Sequence, residues 1–527
     1  MKRLYILALV CAGAVLAQQG NQPDRLEWFR DQGFGLFIHW SVDSQIGSVI
    51  SHSLVGASDD YVRRFYTELP KTFNPRRFHP EDWAALATLA GVRYVVFTAK
   101  HHSGFAMWNT ETTAFGISHT PFHADIVGAT LRAFKDQGIA PGVYFSPDDF
   151  HWLYKNGITI MRGREADPPQ HPGLLALDQA QLRELLTKYG PVDIVFLDGE
   201  AAGLKEVVWQ VRPETVVTRG AMTTPEQYVP GVPIEGPWEA NLTIGTAWGY
   251  QPRNEIYKSG RDLIRLLYET RAKGGNLLLN VGPKPDGELP IEQEERLREM
   301  ALWMFVNQEA IYSVRPWIVT NENSIWFTKH KDENTIYAVV TEPWKRGEWK
   351  DIVLRSVKAT AKTEASVLGQ NDKVLEYQRV VPKTTWKQEA DGLHIHAMFA
   401  QRIQDKGNWP NPVVVEIGNV EPALIPPRIE TGQAVREGTG VTLHGTLRSL
   451  GDTKSLEVCF EYRSLKGLDT NERSGEWTAT PYQRMDAPGA FSATAPAWAA
   501  GEPYEFRAAV KHPALTMYGE GKTVRLP

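Results

Sequence analysis

Three apolar runs in this chain stop on residues that can bind, attack or carry a proton. Val192-Asp193-Ile194-Val195-Phe196-Leu197 ends at Asp198-Gly199, Gly35-Leu36-Phe37-Ile38 ends at His39-Trp40, and Tyr94-Val95-Val96-Phe97-Thr98-Ala99 ends at Lys100-His101-His102. Near-continuous apolar runs of this kind read as strands buried on both faces, the kind from which parallel sheets are made. A polar residue at the carboxyl end of such a strand stands where α/β barrels keep their chemistry. Each has a plainer reading. Asp198 before Gly199 also suits a turn cap. Adjacent histidines on a strand point to opposite sides, so His101 and His102 line one pocket only where the strand breaks. Zinc is disfavoured as an explanation, because no His pair with helical ligand spacing falls inside a predicted helix and His394 and His396 lie far along the chain.

The elements that must place these residues alternate. Residues 80–91 read as a helix with Trp83, Leu86 and Leu89-Ala90 on one face and Gly91 as its stop. A second helix, 124–137, closes at Gly138, and strand 140–147 follows. Leu182, Leu185, Leu186 and Tyr189 make the i, i+3, i+4, i+7 stripe of a helix laid on a sheet, and Gly190 ends it before the Asp198 strand. Residues 215–218 lead to Arg219. Ser259 caps a helix bearing Leu263, Leu266, Leu267 and Thr270, Gly274 closes it, and Asn276–Val281 is a last apolar strand. The expected fold class is α/β, a (β/α)8-type barrel over residues 18–318, with an open doubly wound sheet as the alternative. No Gly-rich phosphate loop follows any strand, so a nucleotide fold is unsupported.

Beyond about residue 315 the texture changes to short strands (325–327, 335–341, 351–354, 393–398, 413–417), predicting a β-sandwich over 319–420. Pro426-Pro427 reads as a linker. Period-two alternation at 441–445, 456–463 and 504–510 predicts a second small sandwich of immunoglobulin or fibronectin type over 421–527. Its separate core makes it expected to be dispensable for chemistry.

A chain of 527 residues exceeds one ordinary core. A net charge of -5 leaves no basic footprint, so no nucleic-acid partner is expected. The 17 Trp hint at stacking on flat sugar faces, although Trp also fills cores. Residues 1–17 carry Lys2 and Arg3, an apolar run, and small residues Val15 and Ala17 before Gln18, the pattern of a secretory signal peptide too short to span a membrane. The expected protein is therefore exported, periplasmic or extracellular, with no membrane span. Cys11 falls inside that segment, which leaves Cys459 alone and no intrachain disulfide.

Six motifs then occur in order: Gly35-Leu36-Phe37-Ile38-His39-Trp40, Lys100-His101-His102-Ser103-Gly104-Phe105, Gly142-Val143-Tyr144-Phe145-Ser146-Pro147, Phe196-Leu197-Asp198-Gly199, Thr246-Ala247-Trp248-Gly249-Tyr250 and Lys273-Gly274-Gly275-Asn276-Leu277-Leu278-Leu279-Asn280-Val281-Gly282. Together they resemble the α-L-fucosidases of glycoside hydrolase family 29. The resemblance implies a retaining exo-glycosidase that needs no cofactor or metal and acts on a fucosylated oligosaccharide or glycoconjugate. It implies Asp198 as nucleophile, His39, His101, His102 and Tyr144 as holders of the fucose hydroxyls, and Arg219 as a neighbour of the nucleophile. Phe37 and Trp248 match aromatic walls around the sugar's methyl group, though Trp248 read alone is core.

Retention needs a second carboxyl only about 5–5.5 Å from the nucleophile, in a partly apolar setting that keeps it protonated near neutral pH. Glu226, in Thr223-Thr224-Pro225-Glu226, ranks first because it follows Arg219 in the manner of one branch of the family. Glu239, in Pro237-Trp238-Glu239, is second and Glu200 third. Two stretches depart from the family. Ser51-His52-Ser53-Leu54 stands where many members carry Gly-Glu-Trp-Tyr, and Ser103 replaces an aspartate after the His pair. The first change removes a carboxylate and a Trp that touch the sugar's far hydroxyls, which opens the alternative of a related L-galacto-configured sugar. A glycan-binding protein without hydrolysis is the other alternative, but a lectin has no use for Asp198, Arg219 and a reachable Glu together.

Overall fold

The computed structural model describes residues 20–253, 255–403, 411–438, 440–466, 476–512 and 516–526. The expected signal peptide, residues 1–17, lies outside them. Seven parallel strands form one curled sheet: β1 (Phe34–Ile38), β2 (Tyr94–Lys100), β3 (Ala140–Phe145), β4 (Ile194–Leu197), β5 (Val216–Val217), β6 (Glu239–Thr243) and β7 (Asn276–Val281). Their order is β5-β4-β3-β2-β1-β7-β6. Apart from β5 and β6, every strand lies beside its sequence neighbours, and β1 joins β7, so the sheet is a barrel interrupted between β5 and β6 rather than a doubly wound sheet, whose order would reverse. Residues 223–226 partly fill the interruption. They run parallel to β6 through bridges Thr223↔Trp238 and Glu226↔Asn241. Asn241 N donates to the Pro225 carbonyl and Gln227 N donates to the Asn241 carbonyl, both at 2.9 Å.

Period two sorts the strand residues between the barrel's interior and its helical jacket. Phe37, Tyr94, Val96, Tyr144, Ile194, Phe196, Val216 and Leu278 pack inside, joined by Phe29 of the first helix (Pro23–Gln32). Leu36, Ile38, Val95, Phe97, Val143, Phe145, Val195 and Leu197 face outward into a larger core. The covering helices include Pro80–Ala90, Ile126–Asp136, Pro172–Lys188, Gly260–Ala272 and Ile291–Asn307. Gly91 and Gly274 stop two of them at φ 82° and 87°, a left-handed turn that a Cβ would strain. Ser259 Oγ accepts from Asp262 N at 3.1 Å, a cap worth about 1 kcal/mol.

The first sandwich pairs a five-stranded antiparallel sheet (Val314–Glu322, Ile325–His330, Ile336–Val340, Val357–Val367, Val413–Pro422) with a three-stranded one (Trp349–Leu354, Thr385–Glu389, Gly392–Met398). Its core is continuous with the barrel's outer core, and Trp303 Nε1 of the last barrel helix donates to the Pro412 carbonyl at 2.9 Å. The last module has a core of its own. Its sheets contain Arg428–Glu437, Gly440–Ser449 and Gly489–Ala495 on one side, and Leu456–Ser464 with Pro503–Lys511 at the centre of the other. Cys459 is buried and unpaired there. Among the described residues no helix is long and apolar enough to cross a membrane.

Candidate active site

Continuing the inward series of β4 from Ile194 and Phe196 by one more step of two reaches Asp198, and continuing β1 from Phe37 reaches His39. The barrel's alternation therefore aims both into its carboxyl mouth. One cleft there is lined by Phe37, His39, His101, His102, Tyr144, Asp198, Arg219, Glu226 and Trp248. It also takes in His52, Arg162, Phe196 and Asn241.

Asp198 is the most heavily held group. Arg219 Nη1 donates to its Oδ1 at 2.8 Å and the Tyr144 hydroxyl to its Oδ2 at 2.8 Å. Arg162 Nη2 stands 3.8 Å from Oδ1 and His102 Nε2 3.6 Å from Oδ2. Burial works to raise the Asp198 carboxyl, but the Arg219 guanidinium, His102, Arg162 and the Tyr144 hydrogen bond outweigh it and hold the group well below the usual carboxylate range. It is an ionised, oriented oxygen pair. The same guanidinium reaches the second carboxylate: Arg219 Nη2 donates to Glu226 Oε2 at 2.7 Å. Its Nε and Nη2 also bind Thr224 Oγ1 and the Thr224 carbonyl, and its face lies 4.9 Å over Phe196. Two carboxyl groups held by opposite arms of one guanidinium lie close together. Glu226 keeps 43 % of its side chain exposed, against 15 % for Asp198, so solvent and the Arg219 ion pair surround it in place of the partly apolar setting expected from the sequence.

The histidines are neutral hydrogen-bonding groups. Asn280 Nδ2 donates to the Trp248 carbonyl at 2.7 Å, which makes Oδ1 the acceptor facing His39 Nδ1 at 2.6 Å. His39 therefore carries its proton on Nδ1 and offers Nε2 as an acceptor. Burial depresses it to about 4. Burial likewise drives His101 and His102 well below the ordinary imidazole value. The strand does break after Lys100, and both side chains enter the cleft. His101 Nδ1 meets Ser51 Oγ at 2.8 Å and its ring stacks on Tyr144, while His102 Nδ1 meets Ser146 Oγ at 2.5 Å. His102 Nε2 is buried with no partner and points at Asp198. Ligand atoms of His101, His102 and Asp198 lie within 4.8 Å of one another. Two guanidinium groups beside that set oppose a cation and suit sugar hydroxyls better.

The departing stretch has a definite place. Ser51, at φ 57°, accepts from Ser103 N at 2.9 Å while it holds His101, so the two substituted positions support each other. His52 sets its ring edge on His101 and His102, with centroids 6.0 and 5.2 Å away. Phe37 and Trp248 rings stand 6.0 Å apart, nearly perpendicular, as an apolar wall.

Glu239 is not in the cleft. It is the first residue of β6, fully buried at the barrel's amino end, where the Tyr94 hydroxyl donates to its Oε2 at 2.6 Å. Burial lifts its carboxyl to about 7. Glu200 caps the next turn through Ala202 N and also lies outside the cleft lining. Sequence reasoning missed Arg162, His52, Phe196 and Asn241. Phe196 could have been found from its place two residues before Asp198; Arg162, in an aperiodic loop, gave no signal.

The sequence model described as Alpha-L-fucosidase matches residues 17–309, more than half of the chain. The chain belongs to the α-L-fucosidase family. It is 30% identical over 384 residues to an α-L-fucosidase of Branchiostoma floridae, covering 64% of this chain and 83% of that one. Among solved structures it is similar to Thermotoga maritima α-fucosidase in complex with fucose, at TM-score 0.59 and 25% identity over 74% of this chain and 96% of that one. It is also similar in fold to α-L-fucosidase isoenzyme 1 from Paenibacillus thiaminolyticus, at TM-score 0.61 and 24% identity over 75% and 99%. Membership makes this chain a glycoside hydrolase. A larger cavity of about 830 Å³ lies on the first sandwich beside Trp386. No arginine lines it, so it lacks a pairing of two carboxyl groups on one guanidinium.

Proposed function

We infer that the chain hydrolyses terminal α-L-fucosyl linkages by double displacement, with Asp198 as nucleophile and Glu226 as acid/base. The observation that carries this reading is Arg219 holding Asp198 and Glu226 on its two arms. An ionised Asp198 attacks the anomeric carbon as the glycosidic C–O bond breaks, and Glu226, the more exposed carboxyl, gives its proton to the departing oxygen. Water then enters on the vacated side, gives its proton to Glu226, and cleaves the glycosyl ester. His39, His101, His102 and Tyr144 meet ring hydroxyls, and Phe37 with Trp248 receives the methyl group. A hydroxymethyl in place of that methyl would put an unpaired hydroxyl against the wall, so an L-galacto-configured analogue is expected to be a poorer substrate. Residues 1–17 support export as a signal peptide, with the mature chain starting at Gln18.

The test is hydrolysis of a chromogenic aryl α-L-fucoside with the product's anomeric configuration followed by NMR. Retained configuration, and a loss of several orders of magnitude in kcat for a folded Asp198→Ala variant, are expected. Inverted product, or near-parental turnover of Asp198→Ala, overturns the assignment.

A further inference from the structure

Glu226 is followed at once by a sharp turn, Gln227 having φ 62°. The next residues leave β6 and run into the last module, where four backbone groups in a row are captured. Arg463 Nη2 donates to the Val229 carbonyl at 3.4 Å and Lys273 Nζ to the Pro230 carbonyl at 2.7 Å. Gly231 N donates to Glu505 Oε1 at 2.9 Å, and Arg507 Nη1 donates to the Gly231 carbonyl at 2.5 Å. Lys273 belongs to the barrel; the other three come from the strands Leu456–Ser464 and Pro503–Lys511.

These groups are built to stay where they are. Arg463 faces Glu505 and Glu461 faces Arg507 as directly opposed pairs on the two strands. The ion pairs close at 2.6 Å each, with Glu505 2 % and Arg507 6 % exposed. The Arg507 guanidinium is sandwiched between Trp477 and Tyr518 at 4.0 and 3.6 Å, which fixes its plane. Gly231 fits because it has no side chain: a Cβ there would stand 2.6 Å from Arg507 Nη1 and 2.7 Å from Trp477. A module whose function was elsewhere would have no need to bury a double ion pair around the backbone of a barrel loop.

We propose that Arg507, Glu505 and Arg463 are positioning residues for Glu226: the last module clamps residues 229–231 so that the acid/base is held at the cleft mouth. The proposal rests on the reading of Glu226 as acid/base. Freed of the clamp, the segment keeps the Gln227 contacts with β6 and the Lys273–Pro230 bond but loses every bond to Val229 and Gly231 from the last module. Glu226 then loses its registry with the departing oxygen while Asp198, on its rigid strand, keeps its own. The defect is then confined to substrates that need a proton.

The experiment compares kcat/KM for a fucosyl disaccharide with kcat/KM for an activated aryl fucoside in Arg507→Met, in Gly231→Ala and in Glu226→Ala. A lower folded fraction scales both values equally, so their ratio is blind to stability. The disaccharide-to-aryl ratio should fall about tenfold or more in Arg507→Met and Gly231→Ala, approaching the larger fall of Glu226→Ala. A ratio that stays parental in both clamp variants, while Glu226→Ala collapses it, overturns the positioning role and leaves the acid/base assignment standing. A ratio unmoved by Glu226→Ala removes both.

Discussion

At Glu226 the work of the second carboxyl can be separated from that of the first by the choice of leaving group. A good leaving group departs without a proton, so Glu226→Ala should spare the first step on an activated aryl fucoside and damage disaccharide hydrolysis by about 10²–10⁴-fold. Azide should restore turnover, since it attacks the glycosyl ester without a general base. Glu239→Ala showing that pattern in place of Glu226→Ala would reverse the two. His39 gives a pH test. Its folded value of about 4 lies below the usual 6.5, so the unfolded chain takes the proton first. The stability it contributes is full above pH 6.5 and is lost as pH falls toward 4. Protonation also removes the Nε2 acceptor, so KM for the fucoside should rise near pH 4, measured over times short enough to keep the protein folded. Asp198, His39 and the His pair were legible because each ends an apolar run; Arg162 and His52 were not, because loops carry no periodicity from which a direction can be read.

Among the elements, β6 shows where pattern reading fails. Ala240 and Leu242 face the outer core, while Glu239, Asn241 and Thr243 alternate with them and are equally buried. The sequence predicts no element for these residues; their alternation is that of a half-exposed strand, but here the polar residues point into the barrel rather than into water. The same blindness placed Glu239 near the chemistry: sequence distance to Trp238 says nothing about which end of the barrel a residue occupies. Its carboxyl, at about 7, titrates above the usual 4.5. The native chain therefore keeps this proton longer than the unfolded one, and relative stability is greatest below pH 4.5, falls between 4.5 and 7, and stays lost above. Glu239→Gln keeps an acceptor for Tyr94 and carries no charge. It should melt several degrees above the parent at pH 8, with the advantage vanishing near pH 4. An equal shift at both pH values would assign the effect to packing instead.

For the whole molecule, the barrel and first sandwich share one core and the last module has another. A chain ending after residue 318 should give no cooperative melt, since it would strip Trp303 of its Pro412 partner and expose the shared core. A chain ending after residue 420 should melt cooperatively yet show the same selective loss on disaccharides as the clamp variants. Pro426-Pro427 lies between Val420 of the first core and Ile429 of the second. What a linker motif cannot reveal is a contact returning across it, because residues 229–231 and 505–507 are brought together only by the folded chain.

The cleft is a cul-de-sac. Phe37, Tyr144 and Phe196 pave its floor, and Val96, Ile194, Val216 and Leu278 pack the barrel with them. Among the described residues that floor closes the cleft from below, so leaving group, water and released sugar share its carboxyl mouth, where Glu226 stands. The first fragment has to clear the threshold while the sugar is still esterified inside. Whatever alcohol waits outside at high enough concentration should then compete with water for entry, so glycosyl transfer is an expected side reaction, measurable as transfer product when a fucoside is hydrolysed with an alcohol present.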